Sequence, residues 1–183
     1  MPSLHHALVR PALIPLTTFA LLIAAVVGTV FLTTSQAGAV VSFTPRLSSY
    51  DQQLVNEINH ARARAHRAPL HLVAGTTDVA HGWTCTLARQ HRLSHRPYLG
   101  HAIGRHGSPY WQHIGENVGA VRSTDPRALF HAYMSSPEHR ANILNARYHY
   151  IGVRSIRAGG RTWNTLDFVD EYMYRYGAAR QDC

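Results

Sequence analysis

The sequence predicts an α+β fold in which helices pack on a small antiparallel sheet. Helix-capping signals and apolar residues at helical spacing occur between residues 49 and 144, and two β-rich runs follow at 148–156 and 162–173. The segment Arg157-Ala158-Gly159-Gly160-Arg161 separates these runs, and a glycine pair at such a position is typical of a β-hairpin. Helices first and a hairpin afterwards indicate an antiparallel sheet covered by helices.

The first segment of the chain is apolar. Residues 12–32 contain no charged side chain, and Arg10 precedes them. Ala37-Gly38-Ala39 then has the form of a signal-peptidase site, so residues 1–39 are predicted to be a signal peptide cleaved after Ala39. The alternative is an uncleaved membrane anchor, because a helix of this length can cross ~30 Å of hydrocarbon. In both cases residues 40–48 are a linker and residues 49–183 form one domain outside the membrane.

The charge of the chain is positive, and every basic residue is arginine. The sequence has 18 arginines, no lysine and 10 acidic residues, which gives a formal charge of +8. Such a balance favours an anionic envelope surface, such as lipid headgroups or wall polymers. Nucleic acid is not expected as a partner, because the arginines are scattered and no nucleic-acid-binding motif is present. For Arg62, Arg64 and Arg67 we expect a solvated helix face.

Cys85 and Cys183 are the two cysteines of the sequence. Export would place them in an oxidising compartment, where a disulfide would stabilise the domain by ~4 to 5 kcal/mol in the chain-entropy model. The alternative is an ordinary buried thiol at Cys85 and an unpaired one at Cys183. Nothing near Cys85 resembles the signature of a cysteine nucleophile.

The first two helices are predicted from cap and stop signals. Ser49-Tyr50-Asp51-Gln52 has the form of a capping box, and Pro69 stops the helix that follows it. A second helix is predicted to begin after Thr77 or Asp78 and to continue to about Arg92. Apolar residues recur at helical spacing in both, and we interpret them as core rather than as a cofactor site.

Residues 93–111 are rich in glycine, proline and histidine and have little periodicity. A segment of this length without regular structure is usually functional or mobile. Asp125-Pro126 then predicts a helix through Tyr133, since aspartate is a good cap and proline suits the first helical position. Ser136-Pro137 repeats this signal and predicts a short helix with Glu138 in its first turn, where the helix dipole favours an acid.

Glu138 and His139 are adjacent, which suggests an active site. Neighbouring helical residues point ~100° apart, so the two side chains cannot act together on one substrate atom. The partners of His139 must therefore come from other segments. The sequence offers His95, which opens the irregular segment, and Glu116, which is flanked by Gly115 and Gly119 and so lies where other groups can approach the backbone closely.

Four motifs in a fixed order carry a family resemblance. SH at 94–95, GENVG at 115–119, SPEHRANIL at 136–144 and YIGV at 150–153 together resemble the bacterial branch of the CAP superfamily, the SCP-like extracellular proteins. The resemblance extends from residue 54 to residue 168. It implies an α-β-α sandwich with a large central cleft.

The resemblance also implies a cleft cluster of two histidines and acidic residues, which in some members binds a divalent metal such as zinc. The matching positions here are His95, Glu116 and His139. Eukaryotic members carry a second glutamate on the preceding helix, which has none in this chain, while Glu138 stands where bacterial relatives usually have glycine. Glu138 is therefore either a substitute ligand or an acid that only serves the helix dipole. Arg96 is a further departure, because many relatives have asparagine there.

Two functions from different classes fit these residues. The preferred prediction is a non-enzymatic secreted module that binds a lipid, a glycan or a cell-wall component, with no catalytic residue, because no activated nucleophile accompanies the cluster. The alternative is a metal-dependent hydrolase in which zinc on His95 and His139 activates water and Glu116 acts as base. A cluster that only holds the surrounding loops by hydrogen bonds is a third interpretation.

Overall fold

A computed structural model describes residues 47–106, 108–171 and 183, and these residues form five helices and four strands. This composition confirms the predicted α+β class. In chain order the elements are α1 Ser49–Arg64, β1 His71–Leu72, α2 Ala74–Gln90, α3 Leu99–Arg105, β2 Ile114–Val121, α4 Pro126–Ser135, α5 Pro137–Leu144, β3 Tyr150–Ala158 and β4 Arg161–Val169.

The strands form one sheet in the order β1-β3-β4-β2. β4 pairs antiparallel with both β2 and β3, whereas the two-residue β1 pairs parallel with β3, so the sheet is mixed rather than purely antiparallel. Leu166 and Phe168 pack with residues of α1, α4 and α5. Trp163 packs against α2, and Val169 packs against α2 and α3. Because side chains alternate along a strand, helices cover both faces, which gives the expected α-β-α sandwich.

The cap of α1 lies one residue before the predicted one. Oγ of Ser48 accepts a hydrogen bond from the backbone N–H of Asp51 at 3.0 Å. Ser48 has extended backbone angles, as an N-cap requires, whereas Ser49 is already helical. Two adjacent serines offer equivalent side chains, and only the backbone angles decide between them.

The end of α1 is also earlier than predicted. The helix stops at Arg64, before Pro69 is reached. His66 has a φ of 54°, and the N–H of Arg67 donates to the carbonyl of Arg62 at 2.9 Å. These are the features of a Schellman motif, with histidine in the left-handed position that glycine usually occupies.

The second helix begins several residues earlier than expected. The predicted start at Thr77 or Asp78 is wrong, because α2 begins at Ala74. The N–H of Val73 donates to the carbonyl of Ile151 on β3 at 3.2 Å, so the chain passes from the sheet directly into the helix. The helix start has no side-chain cap, and therefore the sequence carries no cap signal at this position.

The segment predicted as irregular, residues 93–111, contains the short helix α3. Its N-cap, Tyr98, has a φ of 55°, and Nε1 of Trp111 donates to the carbonyl of Gly100 at 3.1 Å. Gly100 packs so closely on the ring of Trp111 that a Cβ at this position would overlap it. This contact explains how a segment with little apolar periodicity still folds back on itself.

The later helices and the hairpin follow the prediction. Oδ1 of Asp125 accepts a hydrogen bond from the N–H of Arg127 at 2.9 Å, and Pro137 is the first residue of α5. Gly159 and Gly160 have φ values of 57° and 72° between β3 and β4. Positive φ at both central positions is the type I′ turn that suits a two-residue hairpin.

The prediction of a solvated face for Arg62 is wrong. Arg62 is completely buried, whereas Arg64 and Arg67 are exposed as expected. The guanidinium donates four hydrogen bonds, all to backbone carbonyls: Ala68 at 2.7 Å, Ile143 at 2.8 Å, Asn145 at 2.9 Å and Tyr148 at 3.0 Å. One side chain thus ties the end of α1 to the end of α5 and to the chain that enters β3.

Cys85 and Cys183 form a disulfide with a Cα–Cα distance of 5.6 Å, which decides between the two alternatives left open for them. The predicted signal or anchor segment, the proposed cleavage after Ala39 and most of the linker lie outside the described residues. Within the described ranges, no helix has the length and apolar character needed to cross a bilayer.

Candidate functional site

His95 is held in place by the segment around it. Nε1 of Trp83 on α2 donates to the carbonyl of Ser94 at 2.9 Å. The guanidinium of Arg96 lies 5.8 Å from the centre of the Trp83 ring and donates to the carbonyl of Val79 at 3.2 Å. The residues on both sides of His95 are therefore fastened to α2, although His95 itself lies outside any helix.

Glu116 lies on β2, the strand at one edge of the sheet, and pairs with His95. Its Oε1 is 2.7 Å from Nδ1 of His95 and accepts a second hydrogen bond from the N–H of Arg96 at 2.9 Å. The side chain of His95 is 65% exposed and that of Glu116 only 4% exposed. Burial raises the pKa of Glu116, and the hydrogen bonds from Arg96 and His95 oppose this shift only in part.

A second carboxyl group lies beside Glu116, at Asp167. The two residues are directly opposite on β2 and β4, so their side chains share one face of the sheet with Cβ atoms ~5 Å apart. Asp167 is completely buried, and neither of its carboxyl oxygens has a hydrogen-bond partner among the described residues. Burial and the neighbouring Glu116 raise the pKa of Asp167 far above its usual value. Two adjacent buried carboxylates repel each other, and this repulsion favours a protonated form of the pair.

His139 reaches the same region from the opposite helical layer. Its ring packs edge-on against Tyr133 with centroids 5.1 Å apart, and its carbonyl accepts a hydrogen bond from Nδ2 of Asn117 at 3.0 Å. Nδ2 of Asn142 donates to Oδ1 of Asn117 at 2.9 Å, which fastens α5 to β2. Burial lowers the pKa of His139, and the nearby His95 lowers it further. The neutral imidazole is therefore favoured at this position.

Among the described residues, Glu138 makes no side-chain hydrogen bond to His95, Glu116 or His139. It is exposed, and its Oε2 accepts a hydrogen bond from Oγ of Ser136 at 3.1 Å. Hydrogen bonds from its own backbone N–H and from Ser136 lower its pKa, as expected for an acid in the first turn of a helix. Of the two interpretations of Glu138, this contact supports the helix-dipole acid.

The two glycines of GENVG let neighbouring groups approach β2. A Cβ on Gly115 would lie 2.5 Å from the hydroxyl of Tyr148, and one on Gly119 would lie 2.9 Å from both Leu129 and Tyr133. Such distances are shorter than van der Waals contact. The small residues therefore allow α4 and the chain that follows α5 to pack against the strand that carries Glu116.

The cluster does not form a ready metal site in this geometry. Among the described residues, His81, Cys85 and Cys183 are the one group of three possible ligands whose atoms lie within 4.8 Å of one another. Two of these three are joined in the disulfide. His95, Glu116 and His139 have suitable ligand types, but they would have to move to hold one ion together.

The comparisons with known proteins identify the family. The family model for CAP, the cysteine-rich secretory protein family, matches residues 55–168. The chain belongs to this family. The match includes all of the last three motifs and the SH pair, and it begins and ends within one residue of the range that the sequence motifs indicated.

Bacterial relatives share the CAP domain. The uncharacterized protein YkwD of Bacillus subtilis (strain 168) is 25% identical over 136 residues, which cover 69% of this chain and 50% of that protein. The chain thus spans about half the length of this relative. An extracellular protein containing an SCP domain from Bacillus anthracis is 27% identical, with a TM-score of 0.59 over 67% of this chain and 40% of that chain.

A more distant neighbour shows the CAP fold alone. An outer surface protein of Borrelia burgdorferi is 16% identical, with a TM-score of 0.58 over 64% of this chain and 90% of that chain. The matched region makes up 90% of that chain, so a domain of this fold can account for nearly a whole protein chain.

Asp167 is the residue of this region that the sequence analysis missed. It is the one acidic residue between Arg161 and Val169, in a run that otherwise reads as a buried strand. An acid at a core position of a strand is uncommon unless it has a partner or a function, so the sequence alone marks Asp167 as unusual. Its neighbour could not be found, because the register that pairs β4 with β2 is a property of the folded sheet.

Proposed function

We propose that this protein is an extracellular, non-enzymatic binding module of the bacterial envelope. Its ligand is a lipid, a glycan or a cell-wall component, and the His95, Glu116 and His139 cluster is the contact site. The observation that carries the proposal is the arrangement of that cluster, in which an exposed imidazole is oriented by a buried carboxyl group.

The cluster suits recognition better than chemistry. Within residues 47–106 and 108–171, no serine, threonine or cysteine side chain is hydrogen-bonded to the ring of either cluster histidine, which is the contact that would activate a nucleophile. The hydrogen bond to Oε1 of Glu116 engages Nδ1 of His95 and leaves Nε2 for a ligand. The metal-dependent hydrolase has less support, because its three ligands do not converge on one point.

Charge supports an anionic ligand surface. No acidic residue occurs between Asp78 and Glu116, and this interval carries four arginines and six histidines: Arg89, Arg92, Arg96, Arg105, His81, His91, His95, His101, His106 and His113. Two tyrosines of this interval, Tyr98 and Tyr110, are among the most exposed large side chains of the described residues. Arginine and tyrosine together suit sugar rings and phosphate-bearing polymers. The Bacillus anthracis neighbour is an extracellular protein, which supports the same location here.

A sedimentation assay tests the proposal. Purified protein is mixed with isolated bacterial cell walls, or with vesicles of anionic phospholipid, and the bound fraction is measured. We expect the double variant His95→Ala/His139→Ala to bind its preferred surface about 30-fold more weakly, since each of the two lost hydrogen bonds weakens binding by ~1 kcal/mol. His60→Ala/His131→Ala is the matched control, because neither histidine belongs to the cluster and both lie on other helices.

Equal binding by the two double variants would remove the cluster from the function. Release of a soluble product from the walls would instead establish the hydrolase, provided that His139→Ala abolishes it and that zinc restores it to chelator-treated wild-type protein.

A further inference from the structure

The disulfide lies beside a buried histidine of α2. Sγ of Cys183 is 3.6 Å from Nε2 of His81, and both His81 and Cys85 are buried. One ring nitrogen of His81 and the two sulfur atoms all lie within 4.8 Å of one another. The convergence of ligand atoms that the His95, Glu116 and His139 cluster lacks is therefore present here.

Two of these three residues owe their proximity to helix geometry. His81 and Cys85 are four residues apart on α2, and side chains at this spacing lie on one face of a helix with Cβ atoms ~5 to 6 Å apart. Zinc motifs with two histidines at this spacing use the same geometry. Between them, Oγ1 of Thr84 is hydrogen-bonded to Oγ1 of Thr165 on β4 at 2.9 Å, which fastens this turn of the helix to the sheet. Two of the three ligands are thus held in place by the fold.

The distance between Cys183 and His81 suits a shared zinc ion. In a tetrahedral site, Zn–S bonds of about 2.3 Å and Zn–N bonds of about 2.0 Å place the sulfur and nitrogen ligands ~3.5 Å apart. The observed distance of 3.6 Å is close to this value. Two thiolates and one imidazole are ligands that zinc prefers, and they leave a fourth position for water.

The disulfide decides whether these sulfurs can bind a metal. Each sulfur is bonded to the other, and only a thiolate is a metal ligand. A dithiol reductant supplies two electrons and two protons, becomes a disulfide itself and leaves thiols at Cys85 and Cys183. Zinc then replaces the proton on each thiol, so two protons are released. Cys183 is exposed and lies outside any helix or strand, so a reductant can reach it.

We propose that His81, Cys85 and Cys183 form a zinc site that exists only in the reduced protein. The bound ion and the disulfide are then alternative links between Cys183 and α2. This inference does not depend on the proposed binding function, because no residue of the His95, Glu116 and His139 cluster is a ligand of this site.

Zinc titration of the tag-free protein in its two redox states tests the proposal. One sample keeps the disulfide. The other is reduced by a phosphine, which is then removed in the absence of oxygen, because a thiol reductant would itself bind zinc. We expect one zinc ion per reduced chain, bound at least about 100-fold more tightly than by the oxidised chain, which lacks two of the three ligands. Cobalt in place of zinc should give a thiolate-to-metal charge-transfer band in the reduced sample only.

His81→Gln identifies the third ligand. Glutamine fills a similar space without an imidazole. Changes outside the ligand shell already alter metal affinity about 10- to 100-fold, so the loss of a direct ligand should weaken zinc binding by the reduced chain at least about 10-fold. His60→Gln, on the exposed face of α1, is the matched control, and His95→Ala/His139→Ala should also leave the titration unchanged. Circular dichroism of the disulfide-intact forms checks that each variant folds.

Reduction lowers stability, so binding at this site has to be separated from binding by an unfolded chain. Two thiols of an unfolded chain would bind zinc without any requirement for His81. Equal affinity of reduced wild type and reduced His81→Gln would therefore overturn the proposal, whether or not the reduced chain is folded. Zinc affinity that reduction does not change would overturn it as well. A zinc-dependent rise in the melting temperature of the reduced wild type, absent from Cys85→Ser/Cys183→Ser, would support it.

Discussion

Arg62 offers the sharpest test of how this fold is held together. Replacing it by methionine keeps most of the buried hydrocarbon stem and removes all of its donors. The backbone carbonyls that lose their partner belong to Ala68, Ile143, Asn145 and Tyr148. They come from three separate segments, so no local rearrangement can satisfy all of them.

The expected cost follows from these contacts. A buried carbonyl that loses its donor costs ~1 kcal/mol, which gives about 4 kcal/mol for four. Removing the guanidinium also removes the cost of keeping a charge out of water, so we expect a net loss of about 3 kcal/mol in the free energy of unfolding. For a domain of this size, the melting temperature should fall by roughly 6 to 12 °C.

Urea unfolding followed by circular dichroism measures the effect. Arg64→Met is the matched control, because Arg64 is on the same helix but exposed, and it should change stability by less than about 0.5 kcal/mol. Arg62→Lys should cost at least as much as Arg62→Met, since an ammonium group keeps the buried charge but cannot reach all four carbonyls.

If Arg62→Met lowered the free energy of unfolding by less than about 1 kcal/mol, and by no more than the exposed control does, this reasoning would be refuted. It would mean that water or a shifted backbone satisfies the orphaned carbonyls.

Three further predictions concern the carboxyl pair, the glycines and the disulfide. Burial raises the pKa of Asp167 above its unfolded value of 3.8, so the stability that this group contributes is complete below pH 3.8 and is lost as pH rises through the native pKa. Asp167→Asn should therefore reduce the loss of stability between mildly acidic and alkaline pH, as measured by urea unfolding. An unchanged pH profile would contradict this. Gly152→Ala should lower the free energy of unfolding, measured by thermal unfolding, by more than about 3 kcal/mol, because the new Cβ would overlap the backbone of Thr76. Gly82→Ala is the control: its Cβ would have its nearest contact at 3.8 Å, and it should stabilise α2 by about 0.5 to 1 kcal/mol. Similar effects of the two variants would exclude the packing explanation. Cys85→Ser/Cys183→Ser should lower the free energy of unfolding by about 4 kcal/mol, and a non-reducing denaturation that matches the reduced one would count against a contribution from the bridge.

Local signals predicted the elements that depend on local chemistry. Asp125-Pro126 predicts a helix N-cap and Gly159-Gly160 predicts a hairpin turn, each from two adjacent residues, and both predictions are correct. β2 was not identified as a strand, because its two glycines weaken the strand signal of the sequence. These glycines are needed for another reason, since they allow the neighbouring helical layer to pack closely against the strand. β1 has only two residues and is defined entirely by its pairing with β3.

Features that depend on distant partners were predicted incompletely. His95 and Glu116 were identified from motifs, and the structure brings them to 2.7 Å. The burial of Arg62 was missed, because three of its four acceptors are more than 80 residues away in sequence. Asp167 was missed for the same reason, since its effect on the site depends on strand register. A single sequence shows which residues are unusual, but not which of them meet.

The disulfide has a consequence for proteolysis. The bridge joins residues 98 positions apart, and His95, Glu116 and His139 all lie between its two cysteines. One peptide-bond cleavage in any exposed loop of this interval leaves both fragments covalently connected, and α2 keeps its link to the remainder. In a protease-rich environment, a nicked molecule can therefore retain its binding residues on a single covalent body until a reductant separates them.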